Sequence, residues 1–129
     1  MGNLGIFDDE RKRWIQFDED TEVHIKFVGR EELKKLQRGA EKTAALANVD
    51  ARDILATKLG RACVLGWRNM DDHNHPGLMV NGQPLEFNQE NVDMLMSRST
   101  EFARFVDLNS VNSSLFLEEE QEEAASKNG

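Results

Sequence analysis

A change in hydrophobic spacing near Gly29 constrains the fold of this chain more than any other feature. Before it, Val23, Ile25 and Phe27 alternate with polar residues, which is the period of a half-buried strand. A second apolar run at residues 14–17 precedes this strand and is joined to it by a short acidic turn. The two runs predict one β-hairpin. Because a lone hairpin is marginally stable in water, another element must cover its apolar face.

Helical spacing follows Gly29. Apolar residues recur every three or four positions from 31 to 47, and again in three later segments that each begin at a capping side chain: Asp50, Asn88, and Ser99 or Thr100. We expect the second helix to continue through Cys63 to Trp67. The predicted fold is mainly α within the α+β class, with an N-terminal β-hairpin packed on a small bundle of four to five helices.

The sequence predicts a folded domain between two polar ends. Hydrophobic residues make up 39% and charged residues 31% of the sequence, which is typical of a folded domain. We predict a mobile leader at 1–13, a single globular domain at 14–117, and an acidic, disordered tail at 118–129.

Charge is distributed unevenly. Residues 1–68 hold 13 Lys/Arg against 12 Asp/Glu, whereas residues 69–129 hold 3 against 12. Such an acidic half repels nucleic-acid phosphates and anionic lipids, so neither nucleic acid nor a membrane is an expected partner. No apolar run reaches the ~20 residues of a membrane span, and no signal peptide is apparent. The single cysteine, Cys63, fits a reducing cytoplasm.

The segment Asp71-Asp72-His73-Asn74-His75-Pro76 is the first candidate for chemistry. Its histidines are two residues apart in a loop, without the spacing or the further ligands of a zinc site. We interpret the segment as an exposed connector, pH-sensitive near ~6.5 through its histidines. Cys63 falls on an apolar helix face, as inert buried thiols do. We therefore expect no catalytic, cofactor-binding or metal-binding residues, and no enzyme.

Aromatic and methionine side chains are the remaining candidates for function. Trp14 and Trp67 fit either the edge of the core or an exposed anchor for a protein partner. Four methionines fit either core gaps or an adaptable binding face: Met70, Met79, Met94 and Met96. We predict the partner-binding surface at Trp67, Met70 and Phe87.

One longer pattern carries a family resemblance. Val64-Leu65-Gly66-Trp67-Arg68 is followed by a polar loop, then Val80-Asn81-Gly82-Gln83-Pro84-Leu85-Glu86-Phe87, then Asn88-Gln89-Glu90-Asn91-Val92. With the preceding hairpin and Glu-rich helix, this resembles the tail assembly chaperones of long-tailed bacteriophages over roughly residues 14–110. The loop at 69–79 is longer and richer in His and Asp than the family's usual turn. Physically, Gly82 permits a positive φ in the turn, and Phe87 can pack on Val92 across the Asn88 cap.

The resemblance implies a function. Members of that family bind the tape-measure protein and recruit tail-tube subunits during tail assembly, and are absent from the finished particle. It therefore implies a non-enzymatic protein of the bacterial host cytoplasm, with self-association left open. The alternatives are another phage structural protein, such as a head–tail connector, and an acidic DNA-mimic inhibitor.

Overall fold

The computed structural model describes residues 11–112, and its elements follow one another closely along the chain. Most of the predicted leader and all of the predicted tail lie outside these residues. The elements are β1 (Lys12–Gln16), β2 (Thr21–Lys26), α1 (Arg30–Ala47), α2 (Ala51–Cys63), β3 (Val64–Asn69), β4 (Met79–Val80), β5 (Gln83–Pro84), α3 (Gln89–Arg98) and α4 (Thr100–Ser110). The predicted α+β fold is confirmed, with four helices in the described part. The first strand begins two residues before the predicted domain start at Trp14.

The predicted hairpin forms two strands of a three-stranded antiparallel sheet with the order β1-β2-β3. In the β1–β2 register, Trp14 lies opposite His24 and Ile15 lies opposite Val23. The turn between them is held by the Asp18 carboxylate, whose Oδ1 accepts the backbone N–H of Thr21 at 2.8 Å. Alternation along β2 leaves Val23 and Ile25 fully buried, so the sheet has one face on the core.

The second helix is shorter than predicted. It ends at Cys63, and Val64–Asn69 form the strand β3 against β2. Val64 pairs with Ile25 and Trp67 with Val23, so the register gains one residue on β3, a bulge at Leu65. The bulge turns the two-residue spacing of inward-facing strand residues into a three-residue spacing. That spacing mimics a helix, which is why the prediction that Trp67 ends a helix was wrong.

The predicted helix caps are confirmed. Asp50 accepts the N–H of Arg52 at 2.8 Å, Asn88 that of Asn91 at 2.8 Å, and Ser99 that of Phe102 at 3.1 Å. These side chains satisfy backbone donors that lack an intrahelical partner in the first turn. Asn48 ends α1 in the left-handed conformation, with φ of 57°. Local sequence therefore fixes where three of the four described helices begin.

The core lies between the inner face of the sheet and the helices. Its most deeply buried side chains include Val23, Ile25, Val92, Phe102 and Val106, each with at most 1% exposure. Helix α2 lies centrally, since it contacts α1, α3 and α4. None of the helices within residues 11–112 combines the length and hydrophobicity needed to cross a membrane.

A second small hairpin, β4–β5, follows the polar loop. Its two connecting residues, Asn81 and Gly82, both have positive φ, 52° and 79°, as a type I′ turn requires. The Leu85 N–H donates to the Leu78 carbonyl at 2.9 Å, which extends the pairing past Pro84. The positive φ predicted at Gly82 is confirmed.

Candidate partner-binding surface

Trp67 lies inside the molecule and not on its surface. The bulged strand turns its indole toward the core, where it is 5% exposed. Its Nε1–H donates to the Leu85 carbonyl at 2.7 Å. The ring packs edge-to-face on Phe87 and Phe102, with centroids 5.0 and 5.9 Å away. Of the two roles considered for Trp67, this burial favours the core residue: Trp67 supports its neighbours and is no exposed anchor.

Phe87 is the exposed member of this cluster. It is 41% exposed and lies over Trp67. A shallow pocket of about 380 Å³ lies beside it, lined by Trp67, His73–Pro76 and Glu86–Asn88. The predicted Phe87 site thus has an accessible aromatic ring, held in place by the buried indole behind it.

The loop at 71–76 has internal hydrogen bonds of its own. Asn69 Oδ1 accepts the N–H groups of Asp71 and Asp72 at 2.8 and 2.9 Å. His75 Nδ1 accepts the Gly77 N–H at 2.9 Å. Within residues 11–112, no three His, Cys, Asp or Glu side chains are grouped to hold a metal ion. The loop is a structured connector that forms one wall of the pocket beside Phe87.

Met70 directly follows the last residue of β3. Its backbone N–H donates to the Asp20 carbonyl at 2.7 Å, so it lies against the β1–β2 turn, and the residue is half-buried. The structure therefore brings Trp67 and Phe87 into direct contact, whereas the Met70 backbone lies against the β1–β2 turn.

A larger apolar surface lies along α4, and sequence reasoning missed most of it. It consists of two adjoining grooves of about 320 and 460 Å³ that share Phe17 and Glu101. The first is lined by Phe17, Leu78–Val80, Met94, Leu95, Arg98, Ser99, Glu101 and Phe102. The second is lined by Phe17, Thr100, Glu101, Arg104, Phe105, Leu108 and Asn109. We call the two together the double groove.

The walls of the double groove are apolar and its rim is charged. Met79 is 52% exposed and Leu108 62% exposed, one in each groove. Arg98, Glu101 and Arg104 are exposed and supply charges of both signs. Such an arrangement suits an amphipathic segment, whose apolar face would enter the grooves and whose polar flanks would meet the rim.

Only part of the double groove left a signal in the sequence. Met79 and Met94 were considered for an adaptable binding face, and both line the first groove. The sequence predicts Phe17 only as part of the first hairpin, and it gives no signal that Phe17 and Phe105 meet. Their joint exposure depends on how α4 crosses the end of the hairpin, which local sequence does not determine.

Trp14 has a different environment from Trp67. It lies on the outer face of the sheet, stacked on His24 with ring centroids 4.5 Å apart and planes 8° from parallel. The Arg68 guanidinium carbon lies 3.8 Å from its ring centroid, and Arg68 Nε donates to Glu22 at 2.6 Å. Burial lowers the pKa of His24, and the nearby positive charges of Lys12 and Arg68 lower it further. This cluster fastens three strands together across the sheet.

Cys63 is unsuited to nucleophilic chemistry. Its side chain is fully buried at the end of α2. Burial raises the pKa of its thiol to about 12, so the reactive thiolate is negligible at neutral pH. The burial matches the apolar helix face predicted for Cys63.

Comparison with known proteins identifies the family. Neither the curated proteins nor the solved structures include a significant match to this chain. A family model described as YdaY prophage protein matches residues 18–127. That region runs from the turn of the first hairpin to beyond α4. It contains the double groove apart from Phe17, the Trp67–Phe87 cluster and the acidic C-terminal segment. The chain therefore belongs to the YdaY prophage protein family.

Proposed function

We propose that this prophage protein is a tail assembly chaperone, which binds the tape-measure protein and recruits tail-tube subunits in the host cytoplasm. The observation that carries the proposal is the double groove, an apolar surface with exposed Met79 and Leu108 on a small domain. The likeness of residues 14–110 to tail assembly chaperones and the family's prophage origin are consistent with it.

The chemistry of the double groove favours a helical ligand. Two apolar grooves that meet at Phe17 can accept successive turns of an amphipathic helix. Met79 and Met94 adapt their shape to different side chains, which helps a protein that must hold many similar segments of one long partner. Phe87, with Trp67 behind it, supplies a second and separate contact point.

A binding role without catalysis is part of the proposal. The cysteine thiol of the described chain is buried and has a pKa of about 12. The histidines at 73 and 75 line a shallow pocket whose loop is held by hydrogen bonds. These features are typical of a binding protein, which needs shape and exposed apolar area more than activated groups.

Co-expression with the neighbouring tape-measure and tail-tube proteins tests the proposal. We expect the wild-type chain to increase the soluble fraction of the tape-measure protein and to co-purify with it. The double variant Met79→Glu/Leu108→Glu should lose both effects, because it places carboxylates in both grooves. Leu46→Glu is the matched control: Leu46 is 84% exposed on α1, outside the grooves.

The outcomes separate the alternatives. If the wild-type chain neither co-purifies with the two proteins nor improves their solubility, the chaperone proposal is wrong. If it co-purifies but the double variant does too, the double groove is not the site, and Phe87→Ala then tests the second contact point. Mass spectrometry of purified particles should lack this chain, whereas a stoichiometric amount would identify a connector or another structural component.

A further inference from the structure

The outer face of α1 is basic in a chain whose formal net charge is −8. Arg30, Lys34, Arg38 and Lys42 recur at four-residue intervals, and Lys35 lies beside them. Residues four apart lie on the same side of a helix. All five are exposed, and none forms an ion pair with another residue of 11–112. We call this set the α1 basic face.

The α1 basic face is not explained by the packing of α1. The opposite side carries Leu33, Leu36, Ala40 and Ala44, of which Ala40 and Ala44 are buried, and α1 packs on α2. Glu31 and Glu41 are also exposed on α1 and offset only part of the positive charge. Five cations along one helix repel one another, so an acidic ligand would stabilise them.

The described part of the chain ends close to the start of this helix. The Val28 N–H donates to the Ser110 carbonyl at 2.8 Å, so the last turn of α4 lies beside the residues that lead into α1. The residues after Asn112 therefore start near the N-terminal end of α1. They include the run Glu118-Glu119-Glu120-Gln121-Glu122-Glu123.

The length and the charge of the C-terminal acidic segment both fit a contact along α1. Helix α1 has 18 residues, which at 1.5 Å per residue is about 27 Å. An extended chain covers up to about 3.3–3.6 Å per residue, so a segment with the length of residues 113–123 is long enough to span α1. Five carboxylates in this run match the five cations in number. The family match extends to residue 127, so both partners lie within the matched region.

We propose that the α1 basic face is a docking surface for the acidic segment 118–123 of the same chain. The segment crosses from the end of α4 to α1 and pairs its carboxylates with the cations along the helix. This contact is independent of the tail-assembly function proposed above. It predicts a bound state that weakens with salt, since exposed ion pairs are screened at high ionic strength.

Paramagnetic relaxation enhancement in the full chain tests the docking. Ser126→Cys provides a labelling site for a nitroxide, because the native Cys63 is buried. We expect loss of amide signal intensity for residues 34–42 in low salt, and its recovery in 1 M NaCl, where the screening length falls to about 3 Å. The variant Lys34→Glu/Arg38→Glu/Lys42→Glu should abolish the loss, and reversing Glu119, Glu120 and Glu123 to Lys in that background should restore it.

Two controls test whether the α1 basic face binds the acidic segment of the same chain or that of a second copy. Reversal of Arg98 and Arg104 to Glu changes exposed cations on other helices and should leave the effect intact. Labelled chains mixed with isotope-enriched unlabelled chains should show no signal loss, because the contact is within one chain. If the mixture lost as much amide signal as the sample in which every chain carries the nitroxide, the α1 basic face would bind the acidic segment of a second copy. That result would overturn the proposal, as would unperturbed α1 signals in low salt.

Discussion

Replacing Gly60 and Gly39 by alanine should have opposite effects on stability, although both lie inside helices. A Cβ at Gly60 would lie 2.5 Å from Met96 Cγ and 3.1 Å from Val92 Cγ1, where carbon atoms normally approach to about 3.5–4.0 Å. Met96 and Val92 are 4% and 1% exposed, so they cannot move aside into solvent. Gly60 therefore permits the close crossing of α2 and α3.

The magnitude follows from two opposing contributions. Overpacking of a core typically costs about 1–3 kcal/mol, whereas replacing a helical glycine by alanine gains about 1 kcal/mol. Gly60→Ala should therefore lower the free energy of unfolding by about 1 kcal/mol. At Gly39 the nearest atoms to the added Cβ are 3.7 and 3.8 Å away, at the end of the flexible Lys58 side chain. Gly39→Ala should therefore gain up to about 1 kcal/mol.

Urea unfolding monitored by far-UV circular dichroism measures both variants. The difference between their unfolding free energies cancels the helix-propensity contribution and leaves the packing cost at Gly60, about 1–3 kcal/mol. If Gly60→Ala were as stable as Gly39→Ala, the close α2–α3 crossing would be refuted. If the unfolding free energy fell in both variants, the result would instead contradict the open environment of Gly39.

Three further effects follow from the structure. Trp67→Phe should lower the unfolding free energy by about 1–3 kcal/mol in urea titrations, because it leaves the Leu85 carbonyl without its indole donor; an unchanged midpoint would mean that this hydrogen bond contributes nothing. The pKa of the His24 imidazole is lower in the folded protein than its value of 6.5 in the unfolded chain. As the pH drops below 6.5, the unfolded chain therefore binds a proton at His24 before the folded protein does, and the free energy of unfolding should fall. It should stop falling once the imidazole of the folded protein is also protonated. His24→Gln should flatten that part of the profile of urea midpoint against pH, and an identical profile would contradict the assignment. The Cys63 thiol, with a pKa of about 12, should react with a disulfide reagent only after urea unfolding, and rapid labelling of the native protein would show that it is accessible.

Short-range features of the fold were predictable because their causes are local. The alternation of Val23 and Ile25 with polar residues predicts a strand with one buried face. Asn88 and Ser99 cap helices through hydrogen bonds to residues two or three positions on. Gly82, with Asn81, specifies a turn through its positive φ. Each depends on neighbours within a few residues, so the sequence carries the information directly.

Trp67 illustrates where local reasoning failed. The spacing from Val64 to Trp67 fits a helix, but the hairpin offers an open strand edge, and a bulge at Leu65 lets both residues face the core. Pairing with β2 satisfies the backbone of 64–69 and buries the indole at once. Pairing with β2 decided between helix and strand for this segment. The partner residues lie far apart in the chain, since Gly66 pairs with His24.

The sequence by itself determined the α+β composition, the first hairpin, the starts of three helices and the burial of Cys63. Only the tertiary structure decided that Trp67 supports Phe87 from within, and that Phe17, Met79 and Leu108 border one apolar surface. It also placed the end of α4 beside the start of α1. The physical reason is the same in each case: periodicity and caps act between neighbours, whereas a shared groove depends on how distant elements cross.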